Sequence, residues 1–480
     1  MLTLRSELSK CLQTRLCRRI PTKGISASSE KRQFISDDAG KGERVYDVII
    51  AGGGMIGGAM ACALGKSSYM QGKRILLLEG GQRKSTDILF SPPNFYSNRV
   101  CAISPGNMKF LKNLTAWEKI PRFGTVRKMQ VWDACSDGMI MFNEPNMSED
   151  LCAIVENDMI IASLTDVLNT QLQGQVEVMY ESKISGCITP RNYALDDTTT
   201  AIPPVTINLK DGPELKTRLL VAADGVNSFI AQKALLSKMK WDYNQSAVVA
   251  TLELHEEIEN HVAWQRFLPT GPIALLPLTS QRSSLVWSTT HEHAMELLSM
   301  SDEEFVSAIN NAFWQEHHSS AIVKYVQDYA TRLFSSNVYN AKQYPPCISS
   351  VSGKRASFPL GFSHAIKYVK PRLAVIGDAI HRVHPLAGQG ANLGFRDVEC
   401  LLRVIEKAVY GGEDIGSLNH LLEYESERQL GNFPMSVSID LLKRLYSTDF
   451  SPIVALRCLG LMACNSIPSV KEQFMAQAMK

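Results

Sequence analysis

Val45-Tyr46-Asp47-Val48-Ile49-Ile50-Ala51-Gly52-Gly53-Gly54-Met55-Ile56-Gly57 decides the fold of this chain. Its first seven residues form a short, mostly apolar run suited to a buried parallel strand, and Met60-Ala61-Cys62-Ala63-Leu64 continues beyond the glycines as a helix. Gly52 permits the tight turn, and Gly54 lets backbone amides approach a pyrophosphate. Gly57 lets helix and strand pack closely, with the helix amino terminus favouring negative charge. A second strand, Arg74-Ile75-Leu76-Leu77-Leu78, ends in Glu79, an acid placed to accept hydrogen bonds from a ribose diol. Strand, glycines, helix, strand and acid in that order predict a dinucleotide-binding unit. Gly65-Lys66-Ser67 mimics the tail of a P-loop, but the glycine which that motif needs would fall at Met60, so the segment reads as a helix end.

Two later signatures extend the pattern. Leu219-Leu220-Val221-Ala222-Ala223-Asp224-Gly225 is an apolar strand and a sharp acidic turn, which alone reads equally as a hairpin. Leu373-Ala374-Val375-Ile376-Gly377-Asp378-Ala379 again ends a strand in a glycine and an acid. Asp378 is thereby placed for the ribityl or phosphate-proximal hydroxyls of an extended dinucleotide. After it, His384-Pro385-Leu386-Ala387-Gly388-Gln389-Gly390-Ala391-Asn392 is a loop feeding a helix, whose amides and positive end face whatever lies beyond. For a flavin that is the pyrimidine side, where negative charge grows on reduction. Gly388, Gln389 and Gly390 are then the charge-stabilising loop, with Ala391 and Asn392 completing the cofactor contact. His381 and His384 either exchange protons there or hold the shape of the loop.

At 480 residues the chain has room for about two or three domains. An apolar fraction of 45%, a charged fraction of 20% and a formal charge of +2 predict a globular protein with no nucleic-acid surface. No apolar run approaches the roughly 20 residues of a bilayer-crossing helix. Eleven scattered cysteines without a C-x-x-C pair argue for a reducing compartment and against a zinc site or disulfide framework, and no histidine pair has carboxylates at ligand spacing. No metal is predicted. The first 29 residues set Arg5, Lys10, Arg15, Arg18, Arg19 and Lys23 against one acid, Glu7, as a mitochondrial transit peptide or a disordered basic tail would. Arg32-Gln33-Phe34-Ile35 looks like a matrix-processing site, which puts the mature start near Ile35.

With these signatures in order, the chain resembles the FAD-dependent aromatic hydroxylases of the para-hydroxybenzoate hydroxylase type, the group A flavoprotein monooxygenases. More narrowly it is similar to the ubiquinone-biosynthesis hydroxylases of eukaryotic mitochondria. Residues carrying the closer likeness include Tyr96-Ser97-Asn98-Arg99-Val100, Met129-Gln130-Val131-Trp132-Asp133-Ala134 and Ile154-Val155-Glu156-Asn157. Trp264-Gln265-Arg266-Phe267-Leu268-Pro269 and His381-Arg382-Val383-His384-Pro385-Leu386-Ala387-Gly388-Gln389-Gly390 carry it further. The resemblance places Arg99 at the FAD phosphate and ribityl region, Asp224 in a turn that meets the cofactor, and 264–277 in the substrate-domain sheet. The pattern departs at Ala231, where the family has an arginine bracing that turn, and at Ala222, which replaces a common glycine. Since that turn serves both FAD and NADPH in the family, the departures bear on how electrons reach the flavin.

The resemblance implies an α/β fold with a discontinuous Rossmann-type FAD-binding domain, a mixed β-sheet substrate domain and C-terminal helices. Residues 45–120, 150–230 and 355–405 make the FAD domain, 121–149 a substrate-domain hairpin, 231–354 the substrate domain and 406–480 a helical region, after a lead over 1–44. Thr198 to Pro204 and Ser335 to Ser352 read as loops. Apolar helical stretches after Glu413 read as core, protein interface or membrane-surface docking. The implied reaction is hydroxylation, at ring position C5 and through a flavin hydroperoxide, of a polyprenylated hydroxybenzene on the way to ubiquinone, with molecular oxygen as co-substrate. Implied partners are a ferredoxin and its reductase as electron source, other ubiquinone-biosynthesis proteins, and the matrix side of the inner mitochondrial membrane, touched peripherally. A different flavin-dependent aromatic hydroxylase, a prenyl reductase, or a non-enzymatic prenyl-binding escort protein would share much of the scaffold.

Overall fold

Near-continuous apolar runs build the first sheet. In the computed structural model, which describes residues 45–143, 150–190, 202–315, 320–334, 343–467 and 472, five strands run parallel in the spatial order β18-β11-β1-β2-β8. They are β1 (Val45–Ala51), β2 (Ile75–Leu78), β8 (Val176–Met179), β11 (Glu214–Ala222) and β18 (Leu373–Val375). Ile49, Ile50, Leu76, Leu219, Leu220 and Val221 are fully buried, as strands covered on both faces require. Antiparallel β17 (Val369–Lys370) closes one edge, while β10 (Val205–Leu209) pairs with the first half of β11 and with β9 (Ile184–Ile188). Helix α1 (Met55–Lys66) packs against both α3 (Asn157–Thr170) and α8 (Gly390–Tyr410).

Register aligns the strand ends. Ala51 pairs with Leu78 on one side and Ala222 on the other, and Ala222 pairs with Val375. Each glycine or acid signature therefore leaves the sheet from one row, and β1 is where the neighbours part, the position at which open parallel sheets bind ligands.

The second sheet has the order β19-β16-β12-β15-β14-β13-β5-β6. Its strands are β5 (Lys128–Asp133), β6 (Met139–Asn143), β12 (Lys238–Leu254), β13 (Val262–Leu268), β14 (Gly271–Pro277), β15 (Arg282–Thr290), β16 (Ile348–Ala365) and β19 (His381–Arg382). Only the β5 and β13 pair is parallel within it. On one face Trp132, Val248, Leu252, Trp264, Leu275 and Trp287 pack on Leu297 of α5 (His291–Ser299) and on Phe305 and Ile309 of α6 (Asp302–Trp314). A capping box of Ser301 and Glu304 starts α6. A small third sheet joins β3 (Val100–Ile103), β7 (Cys152–Glu156) and β4 (Gly124–Val126), and Ser104 caps α2 (Pro105–Asn113) directly after β3. The short α4 (Phe229–Lys233) follows the acidic turn after β11.

Two boundaries differ from the sequence reading. β16 runs unbroken past 354, so the second sheet reaches to Ala365, and 348–352, expected as loop, is strand. Its polar Ser349, Ser350 and Ser352 resemble a loop locally, but pairing with the long β12 across three register shifts holds them extended. β19 likewise joins the second sheet from inside a segment expected in the FAD domain. Residues 1–44, 198–201 and 335–342, on which the lead and parts of two loop expectations fall, lie outside the described residues.

Helix α9 (Leu418–Tyr446) ties the two large sheets together. Its Arg428 donates to Asp397 of α8, and its Asp440 accepts from Trp241 Nε1 at 3.1 Å and Tyr243 Oη at 2.9 Å, both on β12. Beyond it, α10 (Ser451–Ser466) packs on α7 (Ala321–Phe334). Arg457 of α10 makes a buried fork to both oxygens of Asp133 at 2.8 and 2.9 Å. No helix among the described residues is long and apolar enough to cross a membrane.

Candidate active site

The first two signatures touch. A Cβ added to Gly57 would stand 1.8 Å from the Gly52 carbonyl oxygen, and one added to Gly52, at φ +104°, would stand 2.4 Å from the Ala223 carbonyl oxygen. The third signature closes on the same point, with the Ile56 side chain 3.2 Å from the Cβ position of Gly377 and 2.6 Å from that of Gly394. Ala102 at the end of β3 lies 3.1 Å from the Cβ position of Gly388. Four segments remote in sequence thus form one hollow.

Around that hollow, donors are left available. A Cβ on Gly54 or on Gly390 would meet nothing within 4 Å, and neither α1 nor α8 has a side-chain cap on its first-turn amides. Such amides need an acceptor, and a pyrophosphate at α1 and an electron-rich ring edge at α8 both provide one. Glu79 Oε2 accepts from Gly53 N at 2.6 Å and Oε1 from Gly81 N at 2.7 Å, which orients the carboxylate and leaves a lone pair on each oxygen for a ribose diol. Asp378 keeps an open surface, yet enough protein surrounds it that burial pushes its carboxyl up from the ordinary value, against the pull of His381 and Arg382. Asp378 follows directly on Gly377, which abuts Ile56. Arg99 is exposed and in no ion pair among the described residues. The free amides at Gly54 and Gly390 and the open lone pairs of Glu79 fit a dinucleotide such as FAD.

Asp224 braces its own turn. Its Oδ2 accepts from Ile230 N at 3.1 Å, Ser228 Oγ accepts from Ala231 N at 2.9 Å, and the other Asp224 oxygen is buried with no partner among the described residues. Ala231 has no exposed surface, so an arginine would find no room, and these two caps replace its bracing. Asn392 is likewise committed to the fold. Its Oδ1 accepts from Ser104 N and Asn107 Nδ2, and its Nδ2 donates to the Ala102 carbonyl at 2.8 Å, which leaves only its backbone for a ligand.

The two histidines differ in their bonding, His381 being tied to a buried acid and His384 to no partner among the described residues. His381 Nε2 lies 2.7 Å from Asp397 Oδ2, and the same carboxylate takes bonds from Gly377 N at 3.0 Å, Arg428 Nε at 2.8 Å and Asn432 Nδ2 at 3.0 Å. Burial pushes the Asp397 carboxyl up, but His381, Arg428 and Asn432 outweigh it and hold the pKa down at about 2. His384 is fully buried beside Tyr243, and burial together with Lys443 lowers its pKa to about 3. Its imidazole stays neutral at physiological pH, and neither ring nitrogen has a hydrogen-bond partner among the described residues.

Facing the loop at 385–388 is the second face of the second sheet. Met129, Gln265, Ala274, Leu276 and Val286 lie on interior strands and yet are only half-buried, with Phe142 beside them on the edge strand. An apolar floor with open space above it is the arrangement of a small-molecule site. Sequence reasoning did not rank these residues, because alternation along a strand does not say which face a cofactor covers. Asp397 it missed altogether, though a charge in the buried stripe Leu393, Asp397, Leu401 and Val404 is a signal of a paired interior acid.

The family described as FAD binding domain matches residues 45–432. The Danio rerio protein named ubiquinone biosynthesis monooxygenase COQ6, mitochondrial, is 49% identical over 464 residues, covering 95% of this chain and 94% of the relative. The Homo sapiens protein of the same name is 48% identical over 444 residues, with 91% and 93% covered. In structure the chain is similar to p-nitrophenol 4-monooxygenase PnpA from Pseudomonas putida DLL-E4, with TM-score 0.64, 15% identity, and 91% of this chain and 99% of that chain covered. Klebsiella pneumoniae HpxO complexed with FAD and uric acid gives TM-score 0.61 at 15% identity, with 90% and 97% covered.

Proposed function

Because this chain belongs to the mitochondrial ubiquinone biosynthesis monooxygenases, we propose that its reaction is hydroxylation at ring carbon C5 of a polyprenylated hydroxybenzene. It is a mitochondrial FAD-dependent monooxygenase of ubiquinone synthesis. FAD, when bound, supplies the activation of oxygen. The chain's own residues bind, orient and shield. Amides at Gly54 and the start of α1 hold the pyrophosphate, Glu79 the ribose, and Asp378, Asp224 and Arg99 the linking hydroxyls and phosphates. Amides of Gln389, Gly390, Ala391 and Asn392 face the pyrimidine edge, and Gly388, whose own amide donates to the Pro385 carbonyl, shapes the turn that presents them. The observation that carries the reading is the half-open apolar floor of Met129, Phe142, Ala274, Leu276 and Val286 opposite that loop. An uncharged aromatic ring fits it, and closing the ring beneath the loop keeps water from the reacting centre.

The test is mass spectrometry of prenylated quinones and precursors from cells lacking the protein, with and without a copy carrying Gly54→Ala. An under-hydroxylated precursor, cured by the natural chain and not by the variant, is expected. An unchanged quinone profile would remove the substrate assignment.

Electrons come from a ferredoxin and its reductase in this proposal, which Ala231 in place of the bracing arginine favours. Anaerobic titration of oxidised enzyme with NADPH is expected to leave the flavin absorbance unbleached, and rapid stoichiometric bleaching would reject the ferredoxin. Other ubiquinone-biosynthesis proteins are partners on the same reading, and the matrix side of the inner membrane is the surface the protein rests on. Supporting that contact, the one charged residue of α10, Arg457, is turned inward onto Asp133, while Leu456 and neighbouring Phe450, Tyr325 and Tyr329 are exposed. Leu456→Glu with Phe450→Glu is expected to abolish most co-flotation with cardiolipin-containing vesicles, and undiminished flotation would move the contact elsewhere.

A further inference from the structure

Among the half-buried residues of the floor, Gln265 alone is polar, Ser284 on the same face being fully buried. Along β13, Trp264 packs into the core beneath α6, and Arg266 donates to the carbonyls of Ala312 and Gln315, so Gln265 projects to the opposite face. Its neighbours on that face mark where it stands. Ala263 packs with Val126, Ile154 and Ala102, the last of which abuts Gly388, and Phe267 packs with Val131, Ile439 and Leu386. Gln265 thus lies between two apolar clusters, each of which reaches the loop at 385–388. It is half-buried, and its amide makes no hydrogen bond within the protein among the described residues. Its partners across the sheet, Ala274 on β14 and Val131 on β5, offer none.

We propose that Gln265 binds the substrate, its amide oxygen accepting the hydrogen of the phenolic hydroxyl on the ring to be hydroxylated. This rests on the aromatic substrate proposed above. An amide in an apolar hollow loses most of its hydration, so a ring hydroxyl that replaces the lost partner is strongly preferred to a ring without one. Among the described residues the floor around Gln265 is made by apolar Met129, Phe142, Ala274, Leu276 and Val286, which suits a neutral phenol held by one hydrogen bond. Tethered at that point between the two apolar clusters, the ring keeps its hydroxyl in place and pivots around it. Which ring carbon faces the flavin is then set by the distance from the hydroxyl.

The FAD-loaded protein, Gln265→Leu and Gln265→Met would each be titrated with a phenol bearing a two-isoprene tail and with its methyl ether, read by the visible absorbance of the flavin. The natural chain is expected to prefer the phenol by about tenfold, the worth of one buried hydrogen bond, and both variants to lose that preference while keeping FAD and melting temperature. With oxygen and a reductant, both variants are expected to release more peroxide per oxygen consumed and to hydroxylate at more than one carbon. If either folded variant keeps the natural preference and the single product, Gln265 is not the contact, though the substrate assignment stands. If the natural chain binds neither compound, both assignments fall together.

Discussion

Gly57→Ala is expected to yield a colourless protein that unfolds early. The added methyl would lie 1.8 Å from a backbone oxygen and 3.2 Å from the Ala223 Cβ, and neither can move without opening the turn between β1 and α1. Helix α1 must withdraw from the sheet instead. That costs about 1–3 kcal/mol or more in overpacking, and it carries the pyrophosphate amides away from their place. Gly54→Ala separates the two effects. Its Cβ meets nothing within 4 Å and its φ of −70° suits alanine, so the cofactor-free variant should melt with the natural protein and yet bind FAD at least about tenfold more weakly. Melting curves of the FAD-free proteins, with FAD titrations followed by fluorescence quenching, check both. A Gly57→Ala protein that retains its colour and its melting temperature would refute the packing argument.

The second large effect is expected at Asp397. Removing its carboxylate in Asp397→Ala strands Arg428, Asn432, His381 and the Gly377 amide in the interior, a loss on the order of 3–5 kcal/mol. Against a total stability of about 5–15 kcal/mol, that leaves little folded protein. Asp397→Asn keeps the size and part of the bonding but not the charge, so it should fold and be weaker. The acid's folded pKa, about 2, is below its unfolded value of about 3.9. Its charge therefore contributes stability above about pH 4, and this is lost as pH falls toward 2. Denaturation of the natural chain and Asp397→Asn at pH 7 and at pH 3 should show the gap between them narrowing in acid. A gap independent of pH would mean that the carboxylate charge contributes nothing.

Much of this is legible in the sequence alone, and for a physical reason. Parallel strands covered on both sides must be apolar along their length, so Val48 to Ala51, Leu219 to Ala222 and Leu373 to Val375 announce themselves, and the residues that follow each run are the ones brought together. What failed to show in the sequence depends on the partner strand. β16 holds serines extended only because β12 bows alongside it. Gln265 has meaning only once Trp264 and Arg266 are seen to point at α6. Asp224 and Asn392 look alike as polar residues beside glycines, yet one keeps an oxygen free while the other spends its whole side chain on Ser104, Asn107 and Ala102.

The row Ala51, Leu78, Ala222 and Val375 is assembled from pieces of chain far apart, with β18 the last of them in sequence. Loop-closure entropy for so distant a strand is met before its contacts can reward it, so the sheet waits with β11 unpaired along half its edge. Until 373–390 docks the hollow has the side formed by Gly54 and Glu79 but not the side formed by Gly377 and Gly388. FAD held from both sides binds the finished fold, and by mass action it withdraws such molecules from unfolding and aggregation. The abundance of this enzyme should accordingly follow the local supply of flavin nucleotide, rising and falling with vitamin status even when its synthesis does not change.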